Sequence, residues 1–180
     1  MTNSGSEERG VIRQYLLGGL GEEERERFEK RFITDRKFKS TRELIGYLVR
    51  AAGRDANLLL NIGPRPDGTI QPEAADRLVA LGDWLRKYGS SIYGTRGGPI
   101  PARPWGVTTQ RRDSVFVHLL DWPDRTISIP SFGAPILRAS MLASGEPVKV
   151  AETQTGTTLT LPATNGDEPD RVILLETKKP

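Results

Sequence analysis

The chain has 180 residues, 36% of them hydrophobic, with 26 basic side chains against 23 acidic ones and no cysteine. Disulfides and thiolate metal sites are therefore excluded, and no apolar run approaches the ~20 residues of a membrane-spanning helix. The basic residues behind the net charge of +3 are scattered instead of forming a stripe with interleaved aromatics, which argues against nucleic-acid binding. The N-terminus, Met1-Thr2-Asn3-Ser4-Gly5-Ser6-Glu7-Glu8, lacks the basic and apolar regions of a signal peptide and leaves the compartment open.

Residues 8–32 read as a helical hairpin. Val11, Ile12, Tyr15 and Leu16 recur at helical spacing, and Gly18-Gly19 ends that helix. A second helix over 22–32 is rich in Glu and Arg at pairing distances, with Phe28 and Phe32 one turn apart. The strings Ile12-Arg13-Gln14-Tyr15-Leu16-Leu17-Gly18 and Glu22-Glu23-Glu24-Arg25-Glu26-Arg27-Phe28-Glu29 resemble the helical start of anti-sigma-type regulators. That resemblance implies an interaction role; the competing reading is an amphipathic hairpin with no function of its own.

From Ser40 the signals become regular. Ser40 and Glu43 have the spacing of a capping box, in which each side chain satisfies a free helix-terminal N–H. Leu44, Ile45, Leu48, Val49 and Ala52 form one apolar face, and Gly53 closes the helix. The run Asn57-Leu58-Leu59-Leu60-Asn61-Ile62 is too short for a buried helix and does not alternate, so it predicts a strand covered on both faces. Gly63-Pro64 ends it, and Pro66-Asp67-Gly68 predicts a tight turn. Pro72 and Glu73 open a second helix carrying Leu78, Leu81, Leu85 and Tyr88, which Gly89 stops. Helix, strand and helix make one slice of a β/α architecture. A lone parallel strand has no sheet, so its open edge invites self-association.

Residues 96–104 hold too much Gly and Pro for regular structure and predict a linker. Beyond them the apolar period changes to two. Strands are expected at 105–109, 114–120, 126–129, 136–142, 148–152, 157–161 and 171–176, with turn signals such as Arg112-Asp113 and Ser144-Gly145 between them. Short strands at this spacing predict an antiparallel β-sandwich.

Three parts of the sequence carry a second resemblance: Phe38-Lys39-Ser40-Thr41-Arg42-Glu43-Leu44-Ile45, the run from Asn57 to Gly68, and Leu81-Gly82-Asp83-Trp84-Leu85-Arg86-Lys87-Tyr88-Gly89 with Ile92-Tyr93-Gly94-Thr95. From about residue 33 to the end, the chain resembles the bacterial α-L-fucosidases of glycoside hydrolase family twenty-nine. With the unrelated helical hairpin (1–32) in front, the expected chain is α+β: the resemblance implies the terminal β/α unit of a truncated (β/α)8-like barrel (33–95), then come the linker (96–104) and a C-terminal antiparallel β-sandwich (105–180). The family would have a Trp-Gly-aromatic-Asn element where this chain has Glu29-Lys30-Arg31-Phe32, so a join between unrelated segments is expected near residue 32.

What the resemblance implies about chemistry is mostly negative. The family's nucleophile, an Asp on a middle barrel strand, and its acid/base lie upstream of the region matched here. No catalytic residue is expected, nor a metal or cofactor, and the chain alone should not turn over a fucoside. The implied partner is a fucosylated glycan or fucoside. Intact relatives are often periplasmic or secreted. Strand C-termini face the active site in a β/α barrel, so Asn61 and Asp67 would border the substrate pocket. Asp67 is also explained by its turn, and Asn61 by support of a neighbouring loop. Asp35 is the other acid that stands out. His118, in the expected strand Val115-Phe116-Val117-His118-Leu119-Leu120, reads as structural, with a sugar contact as the alternative. Trp105, Trp122 and Tyr93 are potential sugar-stacking groups, although isolated aromatics in β domains are usually core. Two other functions stay open: a sugar-binding sandwich module, and a regulatory protein acting through the N-terminal helices.

Overall fold

The computed structural model describes Glu23 and residues 39–65, 67–121, 124–153, 156–163 and 168–178. Apart from Glu23, the hairpin expected at 8–32 lies outside them, as do Asp35 and Trp122. The chain divides into two compact units, Met1–Phe38 with Gly63–Thr69, and Lys39–Ile62 with Ile70–Pro180. All the helices and strands named below belong to the second unit.

Helix α1 spans Thr41–Ala52 and starts at the expected cap. The Ser40 side chain accepts from the Glu43 backbone N–H at 3.2 Å, and the Glu43 carboxylate accepts from the Ser40 N–H at 2.7 Å. These bonds hold Glu43 below the ordinary glutamate range, the Ser40 backbone N–H contributing most. Helix α2, Pro72–Tyr88, has Pro at its first position, Glu73 in its first turn, and Arg86 and Lys87 in its last. Both ends therefore complement the helix dipole.

Eight strands follow: β1 (Arg96–Gly97), β2 (Gly106–Arg111), β3 (Ser114–Leu119), β4 (Thr126–Pro130), β5 (Ile136–Met141), β6 (Lys149–Thr153), β7 (Gly156–Thr160) and β8 (Arg171–Thr177). Seven of them fall within a residue or two of the stretches expected from alternation, the usual scatter of element boundaries. They form a five-stranded sheet in the order β1-β2-β3-β8-β5 and a three-stranded sheet in the order β4-β7-β6, with every pairing antiparallel.

The five-stranded sheet is covered on both faces. Val115, Val117, Leu119, Ile173 and Leu175 point one way and share a core with Ile127, Ile129 and Leu159 of the smaller sheet. Val107, Phe116 and Val172 point the other way and pack with Ile45 and Val49 of α1 and Leu81, Trp84 and Tyr88 of α2. This explains why Val115 through Leu119 are all buried, without the polar alternation of a one-faced strand. Close approach has a local requirement at Gly53, the α1 cap. Its φ of −67° suits any residue, but a Cβ there would lie 2.6 Å from the Val107 side chain. Glycine is used for space, not for backbone freedom.

One expectation needs correction. The stretch 96–104 is not a featureless linker. Arg96 and Gly97 pair with Gln110 and Thr109, the Gly98 N–H donates to the Thr108 carbonyl at 2.8 Å, and Ile100 is buried in the inter-sheet core. Gly98 makes this possible, since a Cβ there would collide with Thr108. The expected barrel strand at 57–62 forms no ladder among the described residues. Its reason is the one that made it conspicuous: a strand exists only through a partner, and none of the described strands pairs with it. The helices and the larger sheet share a core.

Two outcomes follow for stability. Replacing Ser40 with Ala should cost about 1 kcal/mol in urea denaturation. Because Glu43 is held low, the cap contributes above the ordinary glutamate range and is lost as pH falls through the lowered value. Glu43→Gln should flatten that part of the pH profile. Trp84→Ala should cost about 3 kcal/mol, with far-UV and near-UV signals lost in one transition; separate transitions would mean that the helices and sheets are independent.

Candidate functional site

Asn61 lies at the end of an extended segment that leaves α1. The segment alternates even without a ladder. Leu58, Leu60 and Ile62 are half-buried, with Leu60 against the helix–sheet core, whereas Leu59 is 92% exposed and Asn61 is exposed. Its start is fixed by Asp55, whose carboxylate accepts from the Gly97 N–H at 2.8 Å and so ties the end of α1 to β1.

Asp67 sits in the predicted turn. The Gly68 N–H donates to the Arg65 carbonyl at 2.8 Å, and Gly68 has a φ of +82°, a conformation glycine adopts without penalty. Asp67 Oδ1 accepts from the Thr69 hydroxyl at 2.7 Å and the Thr69 N–H at 2.9 Å. These two bonds, the hydroxyl first, hold the carboxyl below the ordinary aspartate range. A carboxylate so held is a poor proton donor near neutral pH. Its geometry is that of a turn-forming Asp. Asn61 and Asp67 fall in different compact units.

The described residues hold a polar constellation that single-residue reasoning could not assemble. His118 is fully buried on β3. Its Nδ1 lies 2.7 Å from Asp170 Oδ2, and its Nε2 lies 3.2 Å from Thr109 Oγ1. The Thr109 hydroxyl donates to the Ser91 carbonyl at 2.6 Å, and the Ser91 hydroxyl donates to the Tyr88 carbonyl at 2.7 Å. A chain of bonds thus runs from the residue before β8, through β3 and β2, to the end of α2. The order carboxylate, imidazole, hydroxyl is that of a nucleophilic triad. Here, however, Thr109, His118 and Asp170 are each 0% exposed, and the one hydroxyl proton is committed to a carbonyl. No reacting atom can reach Thr109. The constellation is structural, as His118 alone suggested, and its partners lie 9 and 52 residues away in sequence.

The aromatic candidates separate by burial. Trp105 is 5% exposed within the inter-sheet core, so neither ring face is open to a sugar, while Tyr93 is 61% exposed. No group of three or more metal-ligating side chains occurs among the described residues, and no helix among them is long and apolar enough to cross a membrane.

Comparison with known proteins places this geometry. Residues 27–90 match the α-L-fucosidase family, beginning a few residues ahead of the join expected near residue 32. An α-L-fucosidase of Branchiostoma floridae is 34% identical over 133 residues, which cover 70% of this chain and 29% of that protein. The structure of α-L-fucosidase isoenzyme 1 from Paenibacillus thiaminolyticus superposes with a TM-score of 0.73 at 26% identity, over 82% of this chain and 37% of the other. That of a family twenty-nine α-L-fucosidase from Bacteroides thetaiotaomicron, trapped as a covalent intermediate with 2-fluoro-fucosyl fluoride, gives 0.72 at 27% identity over 78% and 33%. The relatives include animal proteins, so a specifically bacterial kinship is not indicated.

His118→Phe should cost more than about 2 kcal/mol, because it leaves the Asp170 carboxylate buried without its partner. Thr109→Val should cost less; equal losses measured by urea denaturation would contradict the pairing described. At the turn, Asp67→Asn should be milder than Asp67→Ala, since an amide oxygen can accept the same two bonds. The chain spans about a third of the length of the proteins it matches, and over that stretch it is related to the α-L-fucosidases.

Proposed function

We propose that these 180 residues form the C-terminal portion of an α-L-fucosidase-like protein, whose whole length would hydrolyse terminal α-L-fucosides with retention. The observation that carries this reading is the likeness to a solved α-L-fucosidase over 82% of the chain, which takes in far more than the stretch matching the family. In this reading the segment 57–62 is the last strand of a (β/α)8-like barrel, and α1 and α2 belong to its outer layer. The two antiparallel sheets are the β-sandwich that follows the barrel. Asn61, and separately the turn that carries Asp67, are each assigned a pocket-bordering role, one of support instead of proton transfer. The bond pattern at Asp67 supports that division of labour.

Retaining glycosidases use two carboxyl groups about 5–5.5 Å apart, one as nucleophile and one as acid/base. Asp67, whose Oδ1 holds Thr69 and whose carboxyl is kept below the ordinary range, is a turn carboxylate and supplies neither role. The 180 residues alone should therefore show no turnover of an aryl α-L-fucoside. Activity that survives rigorous purification and falls with a substitution at Asn61 or Asp67 would overturn this assignment.

Residues 57–62 are also where self-association of the isolated chain would begin. Leu59 is nearly fully exposed beside backbone that forms no ladder. Sedimentation should show concentration-dependent association that Leu59→Lys suppresses; a monomer at every concentration would remove this part of the reading.

A further inference from the structure

A cleft of about 180 Å³ opens beside the end of α2, between the β5–β6 turn, residues 161–163 and residues 168–172. It holds roughly six waters' worth of space and is smaller than the ~300–1,000 Å³ of sites for drug-sized ligands. Its size suits one small ring. Its walls are mixed: Met141, Ala143, Pro162 and Ala163 supply apolar surface, and Lys87, Glu168 and Arg171 supply charge.

The polar groups are already set in place. Glu168 Oε1 accepts from the Tyr88 hydroxyl at 3.1 Å and from Lys87 Nζ at 3.3 Å. Its second oxygen has no hydrogen-bond partner among the described residues. Arg171 is 9% exposed, and its Nη2 donates to the Asp124 carbonyl at 3.2 Å. On the facing turn, Ser144 donates to the Glu146 carboxylate at 3.1 Å. Among the described residues, two cations and two carboxylates line the cleft and cancel in charge. A net anion or cation would meet a like-charged group as readily as an opposite one. A neutral ligand bearing several hydroxyls would not. Each hydroxyl can donate to a carboxylate and accept from an ammonium, while C–H faces lie on the apolar wall.

We propose that this cleft binds a small neutral polyhydroxylated molecule of about the size of one sugar ring, with Glu168 accepting from one of its hydroxyls and Lys87 donating to another. The inference uses only the residues of the cleft and implies nothing about hydrolysis, so it stands or falls separately from the lineage proposed above. Tyr88 fixes the depth of the cleft: it is buried, which raises its phenol above the ordinary range and keeps it a donor to Glu168.

The test is titration of the ¹⁵N-labelled full chain with L-fucose, D-galactose and myo-inositol, with acetate and inorganic phosphate as charged controls. Saturable shifts are expected with at least one neutral probe, centred on Lys87, Tyr88, Ser144 and Glu146, and none with acetate or phosphate. Glu168→Gln should weaken binding about tenfold, the equivalent of one charge-assisted hydrogen bond. Ala143→Trp, placed on the exposed turn at the rim, should abolish binding with an unchanged melting temperature, so a loss in the first variant cannot be mistaken for misfolding. The proposal is overturned if no neutral probe gives saturable shifts, if the anions bind in their place, or if both variants bind as the parent does.

Discussion

The five-stranded sheet has to bury both of its faces, and most of the molecule can be understood as the means of doing so. β3 and β8 lie inside it, where most side chains point into a core. On one side Val115, Val117, Ile173 and Leu175 meet the three-stranded sheet; on the other Phe116 and Val172 meet α1 and α2. Burying one such side chain is worth about 1.5–3 kcal/mol. Removing either covering layer would expose several at once. The helices are therefore a required cover for this sheet.

Two-sided burial also dictates where polar groups can sit. A histidine on the helix-facing side of β3 has no access to water, so each ring nitrogen needs a partner within the fold. Asp170 and Thr109 provide them, and the chain continues to Ser91 and the last carbonyls of α2. This line of bonds crosses the same interface that the apolar contacts cement. Apolar packing tolerates small displacements, whereas hydrogen bonds of 2.6–2.7 Å do not. The network consequently fixes the register of the helix end on the sheet, which apolar packing alone leaves adjustable.

The same end of α2 borders the charged cleft. Tyr88 contributes its carbonyl to the buried network on one side and its hydroxyl to Glu168 on the other. Lys87 stands over the Tyr88 ring, 4.9 Å from its centre, and reaches the same carboxylate. The position of the cleft's donors and acceptors is thus inherited from the packing of the helix against the sheet. Groups held in this way need little reordering when a ligand arrives, which lowers the cost of binding.

Local chemistry was legible in the sequence. The cap at Ser40 and Glu43, the Pro-Asp-Gly turn with its glycine at positive φ, and seven of the eight strands each depend on residues close together in the chain. The kinship to α-L-fucosidases was legible for a similar reason, since its motifs are short and occur in order. What tertiary structure alone decided involves distant partners. β1 is a strand only because Thr109 and Gln110 lie beside it, and Ile100 is core only because two sheets close over it. The run at 57–62 has the composition of a buried strand and no ladder among the described residues, because composition cannot supply the neighbour that a ladder requires. His118 was recognisable as buried, but Asp170 lies 52 residues beyond it, and no local pattern names such a partner. The cleft beside α2 is assembled from four separate stretches of chain, so nothing in the sequence could have announced it before the chain was folded.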